Sequence, residues 1–449
     1  MGPKTKIKHF LNSDLFIILI ICFCTLFFTL LKLSKGYTFE WDQADDATKV
    51  FSIINQKKPL LIGPRVSNDN GFFVGPYHYY YLLPFYLFTK GDPIAGKYAV
   101  ICINLLTTIT YFILIKKIIN KKTAFISSLL LSVCLDKICW SAMYAPLISI
   151  TTFYICYQAI NKRFNFPLAM LFAGFISNIH LVPISLIPIT LISFVLSKNK
   201  PKLKEIFIGI IFFIIPFIPL IVFDLRHDFL NSKKIIQIIT GQNGPQIINI
   251  QNLYLRSFWR SLNIFNIFSK NLERFLILFL IVLIPFFIKN VKNRILIIIW
   301  TLFPLILLSR YHGAISEYYY GMITALIPLS ISLFLTNKIK NNYLRYVIVV
   351  LFIVTIASKI YFTNTYNISL NDKKAVVQYL ISQKQDQPYN LSYETGIGFN
   401  FGFDYLFDYY KNKPQNIDQA HLYTLFLDNN VPNNSNVVFT QKIYKLVRR

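Results

Sequence analysis

Residues 41–47 read Trp41-Asp42-Gln43-Ala44-Asp45-Asp46-Ala47, and residues 75–81 read Gly75-Pro76-Tyr77-His78-Tyr79-Tyr80-Tyr81. The first stretch sits inside a loop, Gly36 to Pro76, and the second closes it; apolar sequence lies on both sides. Carboxylates are scarce, with 20 Asp and Glu in 449 residues, yet three of them fall at positions 42, 45 and 46. Acids clustered beside an apolar phase mark an interface where polar chemistry is done. At helical spacing the segment 42–54 separates into two faces. Asp42, Asp45, Asp46 and Lys49 form one, and Ala47, Val50, Phe51 and Ile54 the other. The pattern predicts a helix on a membrane surface with its acids turned to a cavity. A plainer reading makes Asp42 an N-cap and the other acids a solvated face.

Composition supports the membrane setting. The chain is 54% hydrophobic and 16% aromatic, with mean hydropathy +0.48. That excludes an ordinary soluble globule and a disordered chain alike. Apolar runs long enough to cross a bilayer lie near 15–33, 94–115, 123–140, 142–160, 164–180, 181–197, 205–223, 274–289, 295–309, 319–336 and 345–362. The expectation is an all-α polytopic membrane protein of about eleven transmembrane helices. Segment 77–89 is too short to cross and is read as interfacial or re-entrant.

The net charge of +26 does not indicate nucleic acid, because the lysines sit in short clusters between apolar runs. Those clusters are topology signals. Lys116-Lys117 with Lys121-Lys122, Lys162-Arg163, Lys198 to Lys204, Lys289 to Arg294, and Lys338 to Arg345 alternate as cytoplasmic turns. Lys4, Lys6 and Lys8 precede the first apolar run, which reads as an uncleaved signal anchor. The N-terminus is then cytoplasmic and the C-terminus extracytoplasmic, in the plasma (inner) membrane of a prokaryote. Lys32 and Lys35 oppose this at the first span and are outvoted. In this topology only Asp14 and Glu205 of the 20 carboxylates face the cytoplasm. The six cysteines lie in or beside apolar segments without metal or disulfide spacing.

A membrane domain of residues 1–362 carries large outer loops 36–92 and 224–273. Residues 363–449 follow as a small extracytoplasmic α/β domain. There 372–383 and 403–411 read as helices, and 389–394, 422–427 and 437–447 as strands.

Three outer segments carry candidate groups. In the first loop, Gly63-Pro64-Arg65 makes a sharp turn and offers a guanidinium to a phosphate. His78 and Tyr79 stand inside the aromatic run that follows. In the second, Phe223-Asp224-Leu225-Arg226-His227-Asp228 offers Arg226 and His227 to an anionic lipid group, with Asp224 and Asp228 to orient it or an acceptor. Two carboxylates and an imidazole leave a divalent metal open, but the spacing is no known ligand signature. The third, Arg310-Tyr311-His312 to Glu317-Tyr318, pairs cations with a carboxylate and rings suited to a sugar; an interfacial aromatic belt has the same composition.

The order of these parts resembles the bacterial branch of the GT-C glycosyltransferases, the family-39-like enzymes, among them protein O-mannosyltransferases and lipid A aminoarabinose transferases. The order is a signal anchor, an acidic pair opening a helix, a Gly-Pro-Arg turn and Gly-Pro-x-x-Tyr-Tyr-Tyr. The resemblance covers residues 10–340, with motifs in 39–98, 222–236 and 310–328. It places Asp42 where the family has its catalytic acid, with Asp46 as the second candidate. Gln43 stands where many members have Glu, and Asp45 where many have Arg. It implies transfer of a sugar from a polyprenyl-phosphate carrier to a glycan, lipid or protein acceptor. Asp42 would act as base, Arg65 and Arg226 would hold the leaving phosphate, and His227, Arg310 and His312 are alternates. His78, Tyr79, Asp224, Asp228, Glu317 and Tyr318 remain for acceptor or sugar. No cofactor is implied. A polysaccharide polymerase or ligase shares the donor logic. A transporter or flippase of lipid-linked sugars would instead need charges within the spans or repeated halves.

Overall fold

The structure is a computed structural model that describes residues 13–66, 71–180, 182–240, 250–262, 265, 269–308, 317–363, 369–383, 389–396, 399–415, 421–433 and 435–448. Its helices are mostly long apolar rods. Helix α1 (Asp14–Ser34) starts on Ser13, whose hydroxyl accepts the Phe16 N–H at 3.1 Å. Helix α2 (Trp41–Gln56) and helix α3 (Tyr77–Phe88) belong to the segment 36–92 between the first two long apolar helices. Helices α4 (Ala95–Ile118), α5 (Lys121–Cys134) and α6 (Ala145–Asn161) then pack with α1 around the buried core.

The next helices are shorter. They are α7 (Phe166–Ser177), α8 (Leu186–Leu196) and α9 (Leu203–Ile214). Pro216 and Pro219 interrupt the last of these, which continues through a tight turn into α10 (Ile218–Arg226). Helices α11 (Leu230–Ile239) and α12 (Ile250–Ser261) follow. Then come α13 (Lys270–Leu283), α14 (Val291–Leu308), α15 (Gly321–Thr324), α16 (Leu326–Lys338) and α17 (Asn342–Phe362).

Among the described residues, five helices are long and apolar enough to cross a membrane, not eleven. They are Asp14–Ser34, Ala95–Ile118, Leu203–Arg226, Gly321–Lys338 and Asn342–Phe362. Several of the other expected crossings are shorter helices because proline and extended backbone cut the apolar runs. The run at 123–140 stops at Cys134 and continues as extended chain. The pair at 164–197 becomes helices of 12 and 11 residues. The run at 274–289 ends its α-helix at Leu283, one residue before Ile284-Pro285. At 1.5 Å per residue, 12 residues cover about 18 Å, well short of a ~30 Å hydrocarbon layer. Hydropathy counts apolar residues but not where the helix breaks.

Lys32, which opposed the charge rule, has a local task. Its ammonium donates to the carbonyls of Val133 (2.7 Å) and Leu135. It therefore satisfies the open C-terminal end of α5.

The C-terminal domain is small and mixed. Helix α18 (Leu370–Ser382) and helix α19 (Phe403–Tyr409) cover a four-stranded sheet of β1 (Tyr389–Glu394), β2 (His421–Leu427), β3 (Val437–Gln441) and β4 (Tyr444–Arg448). Strand order is β1-β2-β4-β3, with β1 parallel to β2 and the other pairs antiparallel. The chain is thus a largely α-helical multi-pass membrane protein with a small C-terminal β-sheet domain.

Candidate active site

Helix α2 carries the acids, and both its ends are fixed. Glu40, not Asp42, is the N-cap residue, and its N–H donates to the Gln43 side chain at 3.1 Å. The Gln43 amide nitrogen in turn donates to the Cys139 carbonyl at 2.9 Å, tying the first turn to the loop after α5. Lys57 closes the helix in the left-handed conformation.

Asp42 and Asp46 stand one turn apart in opposite surroundings. Asp46 is 5% exposed, and its carboxylate meets His78 Nε2 at 2.8 Å. The other ring nitrogen, Nδ1, meets the Tyr144 hydroxyl at 2.9 Å. His78 is itself 1% exposed, so Asp46, His78 and Tyr144 form a buried polar chain behind α2. Asp42 remains open to solvent although protein atoms crowd around it. That crowding pushes its carboxyl up to about 6 by loss of hydration. Repulsion from Asp46 adds to the shift, His78 offsets part of it, and Asp45 and Glu40 add smaller repulsions. Asp45 is raised for the same first reason, with Lys49 opposing. The Tyr79 hydroxyl bonds to Asp45, and Arg65 lies within electrostatic reach of the same carboxylate.

Arg65 stands on a hairpin-like turn. Gly63 N–H donates to Val74 O (2.7 Å), Val74 N–H to Pro64 O (3.2 Å) and Val66 N–H to Phe72 O (2.8 Å). A Cβ at Gly63 would come within 2.0 Å of the Gly75 carbonyl oxygen, so the two Gly-Pro pairs press backbone to backbone. The Arg65 guanidinium lies over the Phe73 ring at 4.8 Å. Phe73 meets Phe223 edge-on at 6.0 Å, and Phe223 stacks on His227 at 4.2 Å. Arg65 and His227 are therefore the two ends of one aromatic stack.

The segment after α10 grips the turn that carries Arg65. Asn231 accepts the Phe73 N–H at 2.6 Å and donates to the Phe73 carbonyl at 3.1 Å. Asp224 accepts from the N–H of Asn231 and from the N–H and hydroxyl of Ser232, capping α11. Its carboxylate is committed to the corner. Arg226, His227 and Asp228 are exposed, and Asp228 is left-handed at φ 51°. Arg310 and His312 lie outside the described residues. Glu317 and Tyr318 stand on the short turn Glu317–Tyr320.

Sequence reasoning missed several groups. Tyr144 and Asn231 had no motif around them. His180, in the turn after α7, lies within electrostatic reach of His78 and meets Tyr319 edge-on at 6.0 Å. The acids on α2 were the usable signal; Tyr144 lies 66 residues from His78 and Asn231 158 residues from Phe73. Among the described residues, no three His, Cys, Asp or Glu side chains group as a metal site.

No protein-family model matches the chain, and no curated protein matches its sequence. Solved structures do. ArnT from Cupriavidus metallidurans bound to undecaprenyl phosphate superposes with TM-score 0.61 at 11% identity, over 97% of this chain and 98% of that one. Its apo structure gives 0.61 at 11%, over 96% and 97%. The chain has a GT-C fold. The Archaeoglobus fulgidus oligosaccharyltransferase in the apo form gives 0.51 at 12% identity, over 83% of this chain and 58% of that one. At such identity the likeness concerns the GT-C fold and no residue's role.

Proposed function

We propose that this GT-C protein is an integral-membrane glycosyltransferase that moves a sugar from a polyprenyl-phosphate carrier to an acceptor on the extracytoplasmic side. The observation that carries the reading is Asp42. It is an open carboxylate with its proton affinity raised to about 6, on a helix turn fixed from behind, and Arg65 lies within electrostatic reach of its neighbour Asp45. A base is most effective when its affinity lies near working pH. The likeness to a structure holding undecaprenyl phosphate supports the donor class.

The reaction balances with these groups. The acceptor's oxygen or nitrogen forms a bond to the anomeric carbon while Asp42 takes its proton. The bond from that carbon to the phosphate oxygen breaks, and the electron pair leaves with the polyprenyl phosphate. Arg65, with Arg226 and His227 from the second segment, neutralises the charge on that phosphate. In-line attack inverts the anomeric centre. Asp46 and His78 do not meet substrate; they hold α2 and set the field at Asp42. Exposed Asp228 and the Glu317–Tyr320 turn remain as acceptor or sugar contacts. The family-39-like assignment and an N-terminus in the cytoplasm belong to the same reading.

The test is transfer by purified protein supplied with radiolabelled polyprenyl-phosphate sugars and a membrane extract. Asp42→Asn is expected to lower transfer roughly 100- to 10,000-fold at unchanged expression. Normal transfer by that variant, or no product from any donor, overturns the reading.

A further inference from the structure

The C-terminal domain is seated on the acid-bearing helix, and one lysine lies at the centre of the seat. Lys373, on α18, is fully buried. Its ammonium donates to the Phe39 carbonyl at 2.8 Å and to the Phe401 carbonyl, and lies 5.6 Å from the centre of the Phe403 ring. Two carbonyls and a ring face meet the three protons of the ammonium. Phe39 immediately precedes Glu40, the cap of α2, and is three residues from Asp42.

Other contacts border the same seat. The Leu370 N–H donates to the Tyr37 carbonyl at 2.9 Å. The Tyr405 hydroxyl donates to the Gly91 carbonyl at 2.5 Å, and Lys374 meets Asp92 at 2.6 Å. Trp41 meets Phe401 edge-on at 4.5 Å. Of the side chains in this seat, Lys373 is the one that bonds the backbone carbonyl just before the cap of α2. Burying an ammonium is costly, and an apolar residue of similar length would fill the space with less penalty. Covering a core therefore does not explain a lysine here, whereas holding a carbonyl in one place does.

We infer that Lys373 is a positioning residue for Asp42, by which the C-terminal domain fixes the entry and first turn of α2. The inference rests on the assignment of Asp42 as base for its kinetic consequence, and on geometry alone for its structural one. A change of about 1 Å in the placement of a reacting group costs roughly 100-fold in rate.

Full-length protein in lipid nanodiscs is compared as wild type, Lys373→Met, Lys373→Gln and Tyr405→Phe, by two measurements. In hydrogen exchange, Lys373→Met is expected to lose protection at residues 37–46 at least tenfold, while α4 and α5 keep theirs. Lys373→Gln, which keeps N–H donors, is intermediate. Tyr405→Phe loosens the domain at Gly91 and leaves residues 37–46 protected. In transfer assays, kcat falls about 100-fold in Lys373→Met with donor KM within about threefold. Unchanged exchange at 37–46 in Lys373→Met, or in Lys373→Gln should the first not fold, overturns the inference. A fall in kcat that Tyr405→Phe reproduces also overturns it, since domain docking alone would suffice. If exchange changes as expected but wild type transfers nothing, the glycosyltransferase reading fails and the structural part stands.

Discussion

If Asp42 is the base, its raised proton affinity must appear in the acid limb of the pH–rate profile. The carboxyl stands at about 6, against 3.8 for an ordinary aspartate. At pH 7 about 90% is then ionised and able to accept a proton; at pH 5 about 10% is. The expected loss of kcat/KM between those values is about ninefold to tenfold. An unperturbed aspartate would stay more than about 90% ionised at pH 5, and the loss would be about 1.1-fold. The two cases differ enough for a radiolabel transfer assay at saturating acceptor. The control is protein held at pH 5, returned to pH 7 and assayed again, which separates titration from inactivation.

The cause of the shift can be tested within the same assay. Crowding is the larger contribution, and repulsion from Asp46 is next. Asp46→Asn removes that repulsion and moves the acid limb to lower pH without abolishing it, since the crowding remains. Stability has a definite sign too. The folded protein holds the Asp42 proton more tightly than the unfolded chain, so stability falls as pH rises from about 3.8 to about 6, and the full cost remains above 6. Asp42→Asn should therefore melt no lower than wild type at pH 8 while losing transfer. A limb that stays near pH 4 in wild type, or that Asp46→Asn leaves in place, refutes the account of how α2 prepares its carboxylate.

Other outcomes follow from the same geometry. His78→Phe leaves Asp46 buried without its partner, and the melting temperature should drop by an amount reflecting 3 to 5 kcal/mol, roughly the cost of breaking a buried pair; a drop under about a fifth of that would show the pair to be incidental. Asn231→Ala removes both bonds to Phe73 and frees the turn that holds Arg65. On the proposed donor reading, binding of a polyprenyl phosphate should weaken about 5- to 30-fold, as for loss of about 1–2 kcal/mol of hydrogen bonding, and titration of wild type and variant in nanodiscs with undecaprenyl phosphate as the probe checks it. Lys373 has its proton affinity brought down to about 7 by burial, with Glu40, within electrostatic reach, pulling upward. The unfolded chain thus binds more protons between about pH 7 and 10.5, and stability should rise with pH across that window by up to about 1.4 kcal/mol per unit. The wild-type-minus-Lys373→Met difference in exchange at the Leu370 amide reads that slope; a flat or opposite slope contradicts it.

How much of this was legible in the sequence depends on the range of the interactions involved. Helix α2 was predicted over 42–54 and runs Trp41–Gln56, because its two faces repeat at helical spacing within one segment. Strand β1 falls on the expected residues, since Tyr389–Glu394 has a local strand pattern. The spans were overcounted because apolar composition persists through Pro285 and through 135–140, where helix does not. His78 was noted as a lone histidine in an aromatic run, but nothing local says that Asp46 and Tyr144 close on its two nitrogens. Asn231 and Lys373 were invisible for the same reason: their bonds reach Phe73, 158 residues away, and Phe39, 334 residues away. Local pattern reports which face an element presents. It carries no information on which distant carbonyl a buried side chain will hold.

The same limit explains why two aspartates four residues apart read alike and behave differently. Asp46 is enclosed and bonded to an imidazole, so its carboxylate is committed within the protein. Asp42 is reachable, crowded and repelled by its neighbour, so its charge is poorly compensated and a passing proton is welcome. The buried acid helps to make the open one basic, because Asp46 raises the affinity of Asp42 while His78 limits the rise. Two carboxylates one helical turn apart, one enclosed and one open, divide structure from chemistry. On this view removing the buried acid lowers the affinity of the open one, and removing the open one leaves the buried pair intact.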